Sequence, residues 1–254
     1  MDAKGPRVGC YWMHEVHIGA DIAMYFRMNW RRTGNVSWLK EEGWPVIAAT
    51  ADFFASRMER RKPPAAGRLH GGQHDGSTNY TLRHVIGPDE HAYIQDSNTY
   101  TNYAAGQTLA FAVEAAAILA DVSSSGSGSS SFVPPANLAD WKAKAATMYV
   151  PTQQYCLPWS NASVVGCPPG LVREIHPQYD GYHGQDINQA DVALMQWPLH
   201  AELDRGVAAA DLEYYAKRSS GADTKGFYTG DSSYSIAFLF AGQPEVLCGS
   251  TVSP

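Results

Sequence analysis

The run from Leu109 to Leu119, Leu-Ala-Phe-Ala-Val-Glu-Ala-Ala-Ala-Ile-Leu, constrains the fold more than any other stretch. Alanine and leucine lead the helix-propensity scale, and small side chains let a helix approach its neighbours closely. The pattern predicts a helix from about Tyr103 to Val122. Apolar residues recur at helical spacing elsewhere too. Ile18, Ile22, Tyr25, Phe26 and Trp30 predict a helix from about His14 to Arg32, ended by the turn residues Thr33-Gly34-Asn35. Trp38, Leu39, Val46, Ile47, Phe53, Phe54 and Met58 predict another from about Ser37 to Arg60, with Pro45 as a kink or junction. Shorter helices are expected over about Asn137–Met148, Ile187–Met195, Val207–Lys217 and Ser233–Phe240. Alternating strand patterns are scarce, so the chain reads as mainly α.

Between these helices lie two irregular stretches. Ser123 to Ser131 is a Ser/Gly tract expected to form a flexible surface loop. Lys62 to about Asn102 is dense in Pro, Gly, His, Asn and Asp; connections of that length inside a domain are functional or disordered, and its Tyr, His and paired acids argue for function. The composition, 44% hydrophobic and 17% charged over 254 residues, is ordinary for a folded soluble domain. The 7 Trp, 14 Tyr and 8 Phe exclude wholesale disorder.

The net charge of −6, with no basic cluster beyond Arg57, Arg60, Arg61 and Lys62, argues against a nucleic-acid partner. No unbroken apolar stretch is long enough to span a membrane, and Met1-Asp2-Ala3-Lys4-Gly5-Pro6 does not resemble a secretory leader. Of the four cysteines none forms a CxxC pair, which speaks against structural zinc, whereas Cys156 and Cys167 bracket a short Pro-rich loop suited to a disulfide. Sequons begin at Asn35, Asn79 and Asn161. Together these features tilt the reading towards a glycoprotein that is secreted or vacuolar/lysosomal.

Chemistry concentrates at Gly87-Pro88-Asp89-Glu90-His91, where a Gly-Pro turn presents two acids and an imidazole, followed by Asp96, Asn98, Tyr100 and Asn102. Carboxylates beside amides and aromatic rings suit a sugar site, since one acid must protonate a glycosidic oxygen while amides and hydroxyls hold the ring. The alternative is a solvated acidic turn. His14-Glu15-Val16-His17 falls one residue short of the HExxH zinc spacing, so no metal is expected, nor any other cofactor. No GxSxG elbow, GxGxxG or P-loop occurs. Farther on, Glu174 to Tyr182 is polar and aromatic; Asp191 reads as a first-turn helix acid, and Asp231 as an N-cap or first-turn acid.

These motifs, in their order, resemble glycoside hydrolase family 65, which groups acid trehalases, disaccharide phosphorylases and glucosylgalactosylhydroxylysine glucosidases. The resemblance is carried by His17-Ile18 with Asp21-Ile22-Ala23, Glu42-Gly43-Trp44 through Ser56-Arg57, Gly87-Pro88-Asp89-Glu90 with Asn98 to Asn102, and Asn188 to Val192 followed by Pro198-Leu199. It implies an (α/α)6 toroid of helical hairpins, inverting chemistry, Glu90 as general acid, and Gln189 in contact with the bound glucosyl unit. Asp89, His17, Asn102 and Asn188 join Gln189 as expected substrate-binding residues, and the partner is a small carbohydrate.

Two departures bear on the reaction. The family's Lys-Gln pair is Asn188-Gln189 here, which removes a charged donor. Where phosphorylases of the family carry a His and paired serines, this chain has Ser232-Ser233 preceded by Thr229-Gly230-Asp231. A carboxylate there repels phosphate and polarises water, which favours hydrolysis, with Asp231 as base and Asp223 and Glu213 as rivals. The segment Asp211 to Ser220 also resembles the acid trehalase side of the family. The expected activity is therefore inverting hydrolysis of an α-glucosidic bond, with phosphorolysis or a non-catalytic carbohydrate-binding fragment as alternatives. Too few helices are present to close a toroid, so residues 1–254 read as part of the catalytic domain, an incomplete barrel with an exposed apolar edge.

Overall fold

The computed structural model describes residues 11–61, 79–125, 132–157, 167–219 and 230–242. In chain order these form α1 (His17–Thr33), α2 (Val36–Trp38), α3 (Trp44–Arg57), β1 (Glu59–Arg60), β2 (Tyr80–Thr81), α4 (Thr99–Ser125), α5 (Leu138–Ala146), β3 (Gln153–Cys156), β4 (Val172–Ile175), α6 (Ala193–Gln196), α7 (Arg205–Ser219) and α8 (Asp231–Phe240). The architecture is mainly helical, as the periodicity predicts. The two sheets are antiparallel pairs of two and four residues per strand, too short to show as alternation in the sequence.

The central element is α4, which packs against α1, α3 and α5. Its alanines at 104, 105, 112, 115 and 116 are buried with Leu109, Phe111 and Leu119. It starts four residues before Tyr103 because Asn98 caps it, with Oδ1 accepting from the Thr101 backbone N–H at 2.8 Å and from the Thr101 hydroxyl at 2.7 Å. At the other end it runs through Ser123–Ser125, so the Ser/Gly tract begins as helix; residues 126–131 lie outside the described residues. By length and composition α4 would also cross a bilayer, although it serves here as a core helix with half of its most apolar stretch buried.

The inward face of α1 differs from the sequence expectation. Ile18, Ile22 and Tyr25 are exposed at 49%, 47% and 64%, whereas His17, Ala20 and Ala23 are buried. Small residues let α1 approach the equally alanine-rich α4, and its bulky apolar residues are left outside that seam. Phe26 and Trp30 pack partly against the core.

Between α2 and α3 the chain forms a π-turn, Leu39–Gly43, so helical backbone continues from Val36 to Arg57. Asn35 caps its start, accepting from the Trp38 N–H at 3.0 Å. The Trp44 N–H bonds Leu39 O, and Pro45, which has no N–H to give, follows at once in the first turn of α3. The expected junction at Pro45 is therefore a change of hydrogen-bond pattern.

Cys156, the last residue of β3, forms the expected disulfide with Cys167. The helix expected over Ile187–Met195 is present only as α6. Upstream, the Ile187 N–H bonds Arg218 O and the Asn188 N–H serves the Asp89 carboxylate, which holds that backbone out of helical geometry. The stretch 79–98 is ordered coil: Val85 exchanges both backbone bonds with Gln95, and Asp96 takes the His84 N–H and the Arg83 guanidinium, each at 3.0 Å.

Candidate active site

The Gly87–Glu90 turn sits where α1, α4 and the segment after β4 meet. Its entry is fixed by α1 and the residues before it. The Ile86 N–H donates to His14 O at 2.9 Å, and His17 Nδ1 donates to Ile86 O at 3.1 Å. A carbonyl can only accept, so Nδ1 carries the hydrogen. Burial lowers the His17 pKa against the pull of Asp21 and Glu90, leaving a neutral ring with Nε2 as acceptor.

Gly87 is a glycine for a steric reason. A Cβ there would stand 2.3 Å from Asn98 Nδ2 and 2.5 Å from Asp191 Oδ2. The next residue but one, Asp89, is 1% exposed and accepts from Gln178 Nε2 at 2.9 Å. Burial raises its pKa, opposed by Gln178 and by the backbone N–H groups of Asn188 and His91. Glu90, by contrast, is exposed at the start of the Glu90–Ala92 3₁₀ turn. The turn thus faces one acid inward as an anchor and one outward.

Gln178 is held in turn. Its carbonyl accepts from the Thr99 N–H at 2.9 Å and from Asn98 Nδ2 at 3.1 Å, and the Thr99 hydroxyl bonds Pro177 O. One residue earlier, His176 is clasped by Asp211 of α7, through its backbone N–H and its Nδ1, each at 2.7 Å. The Tyr215 hydroxyl donates to His176 O at 2.9 Å. Burial works against a charge on His176, but the Asp211 bond and charge prevail and its pKa is raised.

Asp191 closes the arrangement from below. It is buried, and its Oδ2 accepts from Asn98 Nδ2 at 3.0 Å. Burial, with Asp89 adding repulsion, pushes its pKa up to about 8. Nearby, the Tyr100 hydroxyl donates to Asp21 Oδ1 at 2.5 Å, and its ring meets His17 edge-on.

Of the residues singled out by sequence, the structure brings His17, Asp89, Glu90 and the Asn188 backbone together. Gln189 is half-buried beside Asn188. Asn102 has a different task from the expected sugar contact. It is fully buried, its two amide hydrogens go to Thr81 Oγ1 and Tyr149 O, and its oxygen accepts from the Leu82 N–H. Asp231 is the first residue of α8, but its side chain lies outside the described residues, as does all of Asp223. Glu213 is exposed and paired with Lys217. Asp191 leaves the expected dipole role for a buried bond to Asn98. Sequence reading grouped Asn98 with the sugar-site amides and Gln178 with a polar, aromatic segment, and missed that both clamp the turn. An Asn ahead of Thr-Tyr-Thr and an apolar run was a readable capping signal, but nothing local announced Gln178. Among the described residues, no group of three or more His, Cys, Asp or Glu side chains is placed to hold a metal ion.

The fold is shared with a solved structure titled "Putative kojibiose phosphorylase from human microbiome", at TM-score 0.59 and 15% identity over 88% of this chain and 30% of that one. Residues 6–158 match the model of the glycosyl hydrolase family 65 central catalytic domain. The chain belongs to that family. It is 32% identical over 204 residues to a kojibiose hydrolase of Mucilaginibacter mallensis, covering 80% of this chain and 23% of the relative. It is 27% identical over 201 residues to a protein-glucosylgalactosylhydroxylysine glucosidase of Dictyostelium discoideum, covering 79% and 22%. The chain spans about a quarter of the length of the curated relatives it matches.

Proposed function

We propose that the protein acts as an inverting glycoside hydrolase on an α-glucosidic bond in a disaccharide or glucosyl conjugate, with trehalose and kojibiose as the first candidates, and supplies part of an (α/α)6 catalytic toroid. The observation that carries this reading is the division of labour in the turn: Asp89 is buried as an anchor while Glu90 is exposed on a backbone clamped by Gln178, Asn98 and Asp191. A general acid must reach solvent-borne substrate yet hold its position to a fraction of an ångström. Glu90 donates its proton to the leaving glycosidic oxygen, and water, activated by a carboxylate for which Asp231 is the candidate, attacks the anomeric carbon from the opposite face. Asp89 acts through Glu90. His17 Nε2, an acceptor beside the acid, and the Asn188 and Gln189 side chains are the candidate sugar contacts. The names of the relatives, a hydrolase and a glucosidase, favour water as nucleophile. The disulfide suits an oxidising, secreted or vacuolar/lysosomal setting.

The test is an anomer-resolved NMR time course with kojibiose, trehalose and maltose, with and without phosphate. Release of β-glucose independent of phosphate is the expected result, accompanied from trehalose by one α-glucose as leaving group; first products without β-glucose overturn the inverting mechanism. Phosphorolysis, the second reading, rests on Ser232 and Ser233 at the start of α8. It predicts a phosphorylated sugar, formed only when phosphate is present.

A further inference from the structure

We propose that Asp191 stands as a neutral carboxylic acid and in that form positions the Gly87–Glu90 turn. The inference rests on the reading of Glu90 as the acid only for its consequence in catalysis; the protonation and the positioning stand on geometry. Asp191 Oδ2 lies where a side chain at residue 87 would be, so the carboxyl group packs directly on the turn backbone. That oxygen takes the Asn98 amide, and the Asp89 N–H also attends it. Oδ1 is sealed from solvent and has no hydrogen-bond partner among the described residues. The charged group acting on Asp191 is Asp89, itself buried, whose Oδ1 is also without a hydrogen-bond partner among the described residues. Two buried carboxylates that repel each other resist ionising together.

Which of them keeps the proton follows from the donors. Asp89 is served by Gln178 Nε2 and by the N–H groups of Asn188 and His91, and Asp191 by Asn98 and one N–H. The better-served group holds the charge, so the proton stays on Asp191. The other titratable groups around Asp191 are the phenols of Tyr100 on α4, Tyr179 after β4 and Tyr215 on α7. Burial raises all three, and they stay neutral while Asp191 titrates. As pH rises through about 8, Asp191 becomes an anion facing Asp89, and the turn loosens beneath Glu90.

The experiment uses the full chain, its Asp191→Asn variant and its Asp89→Asn variant. Infrared spectra at neutral pH should show the carbonyl stretch of a protonated buried carboxyl that disappears as pH rises and is absent in Asp191→Asn. Hydrogen exchange at the amides of Gly87, Asp89 and Glu90, corrected for intrinsic rates, should show protection in the wild type falling roughly ten-fold or more between about pH 6.5 and pH 9. In Asp191→Asn the protection should persist, since the amide supplies the same donor and acceptor without a charge. A wild-type spectrum lacking that band overturns the proposal even if the variants fail to fold. So does a band removed by Asp89→Asn but not by Asp191→Asn, or protection lost in Asp191→Asn already at pH 6.5. Turnover by Glu90→Gln is read separately. Unimpaired hydrolysis there would remove Glu90 as acid and leave the Asp191 result intact.

Discussion

Replacing Gly87 with alanine should be among the most damaging single-methyl additions in this chain. The new Cβ would meet Asn98 Nδ2 at 2.3 Å, Asp191 Oδ2 at 2.5 Å and Asn98 Cγ at 2.7 Å, where ordinary contact begins near 3.4 Å. Each neighbour must retreat by about 1 Å. Asn98 cannot do so freely, because its oxygen caps α4 and its amide is shared between Asp191 and Gln178 O. Overpacking a buried site costs about 1–3 kcal/mol, and losing a capping or neutral buried hydrogen bond adds about 1–2 kcal/mol, giving an expected loss of about 2–5 kcal/mol. That corresponds to a fall in Tm of about 10 °C for a domain of this size. Urea unfolding followed by tryptophan fluorescence, alongside a thermal scan, measures both. Gly34→Ala is the control: Gly34 has φ 57° with nothing within 4 Å of its Cβ position, so only the left-handed backbone penalty of about 1–2 kcal/mol applies. A Gly87→Ala loss below about 1 kcal/mol, or no larger than the control, would refute the clamp as described.

Glu90→Gln should reduce hydrolysis about 10²- to 10⁴-fold, with the unfolding free energy unchanged within about 0.5 kcal/mol because the side chain is exposed; steady-state kinetics on the best substrate decides it. Asp211→Asn should cost about 3 kcal/mol or more by breaking a buried pair. It should also remove a pH dependence. His176 has a raised folded pKa, so its contribution is complete below its ordinary value of 6.5 and is lost as pH rises through the folded value. The pH dependence of the unfolding free energy across that range should be less steep in the variant than in the wild type. Asp191 acts in the same direction over a wider window: stability falls from about pH 4 until the folded pKa of about 8 is passed, and Asp191→Asn should remove that share of the slope. Cys156→Ser with Cys167→Ser should cost about 2–3 kcal/mol by freeing a loop of sequence separation 11, as measured by denaturant midpoints.

How much of this could be read from sequence depended on how local the cause was. The α4 run, the cap-and-turn ending of α1 and the Cys156–Cys167 pairing each follow from residues near one another, and the structure contains all three. The exposed acid of the Gly87–Glu90 turn was likewise legible, since Gly-Pro followed by two acids is a local statement. What decides the task of each acid is not local. Asp89 and Asp191 differ from Glu90 through burial by segments some ninety residues away, and Gln178 matters only because β4 returns it to the start of α4. The apolar stripe of α1 misled for a related reason. Periodicity marks which residues share a face, but which face turns inward is set by the partner, and alanine-rich α4 selects alanines. The first part of the helix expected over 187–195 yielded to demands from Arg218 O and Asp89 on the backbone N–H groups of Ile187 and Asn188, which no propensity scale contains.

The π-turn at Leu39–Gly43 acts as a phase shifter for everything after it. An α-helix advances 100° per residue, and a single wide turn inserts one residue's worth of rotation into an otherwise regular screw. Leu39 lies on one side of that insertion, and Ile47, Ala51 and Phe54 on the other, yet all four reach the same core with no exposed surface. Deleting one residue between 39 and 43 would let the ladder close as a plain α-helix and turn α3 by about a quarter revolution, carrying Ile47 and Phe54 away from α4. The stretch is therefore intolerant of length change, while substitution is tolerated at the exposed Lys40, Glu41 and Glu42. Its residue count, more than its chemistry, keeps the two halves of the helix aimed at one interior.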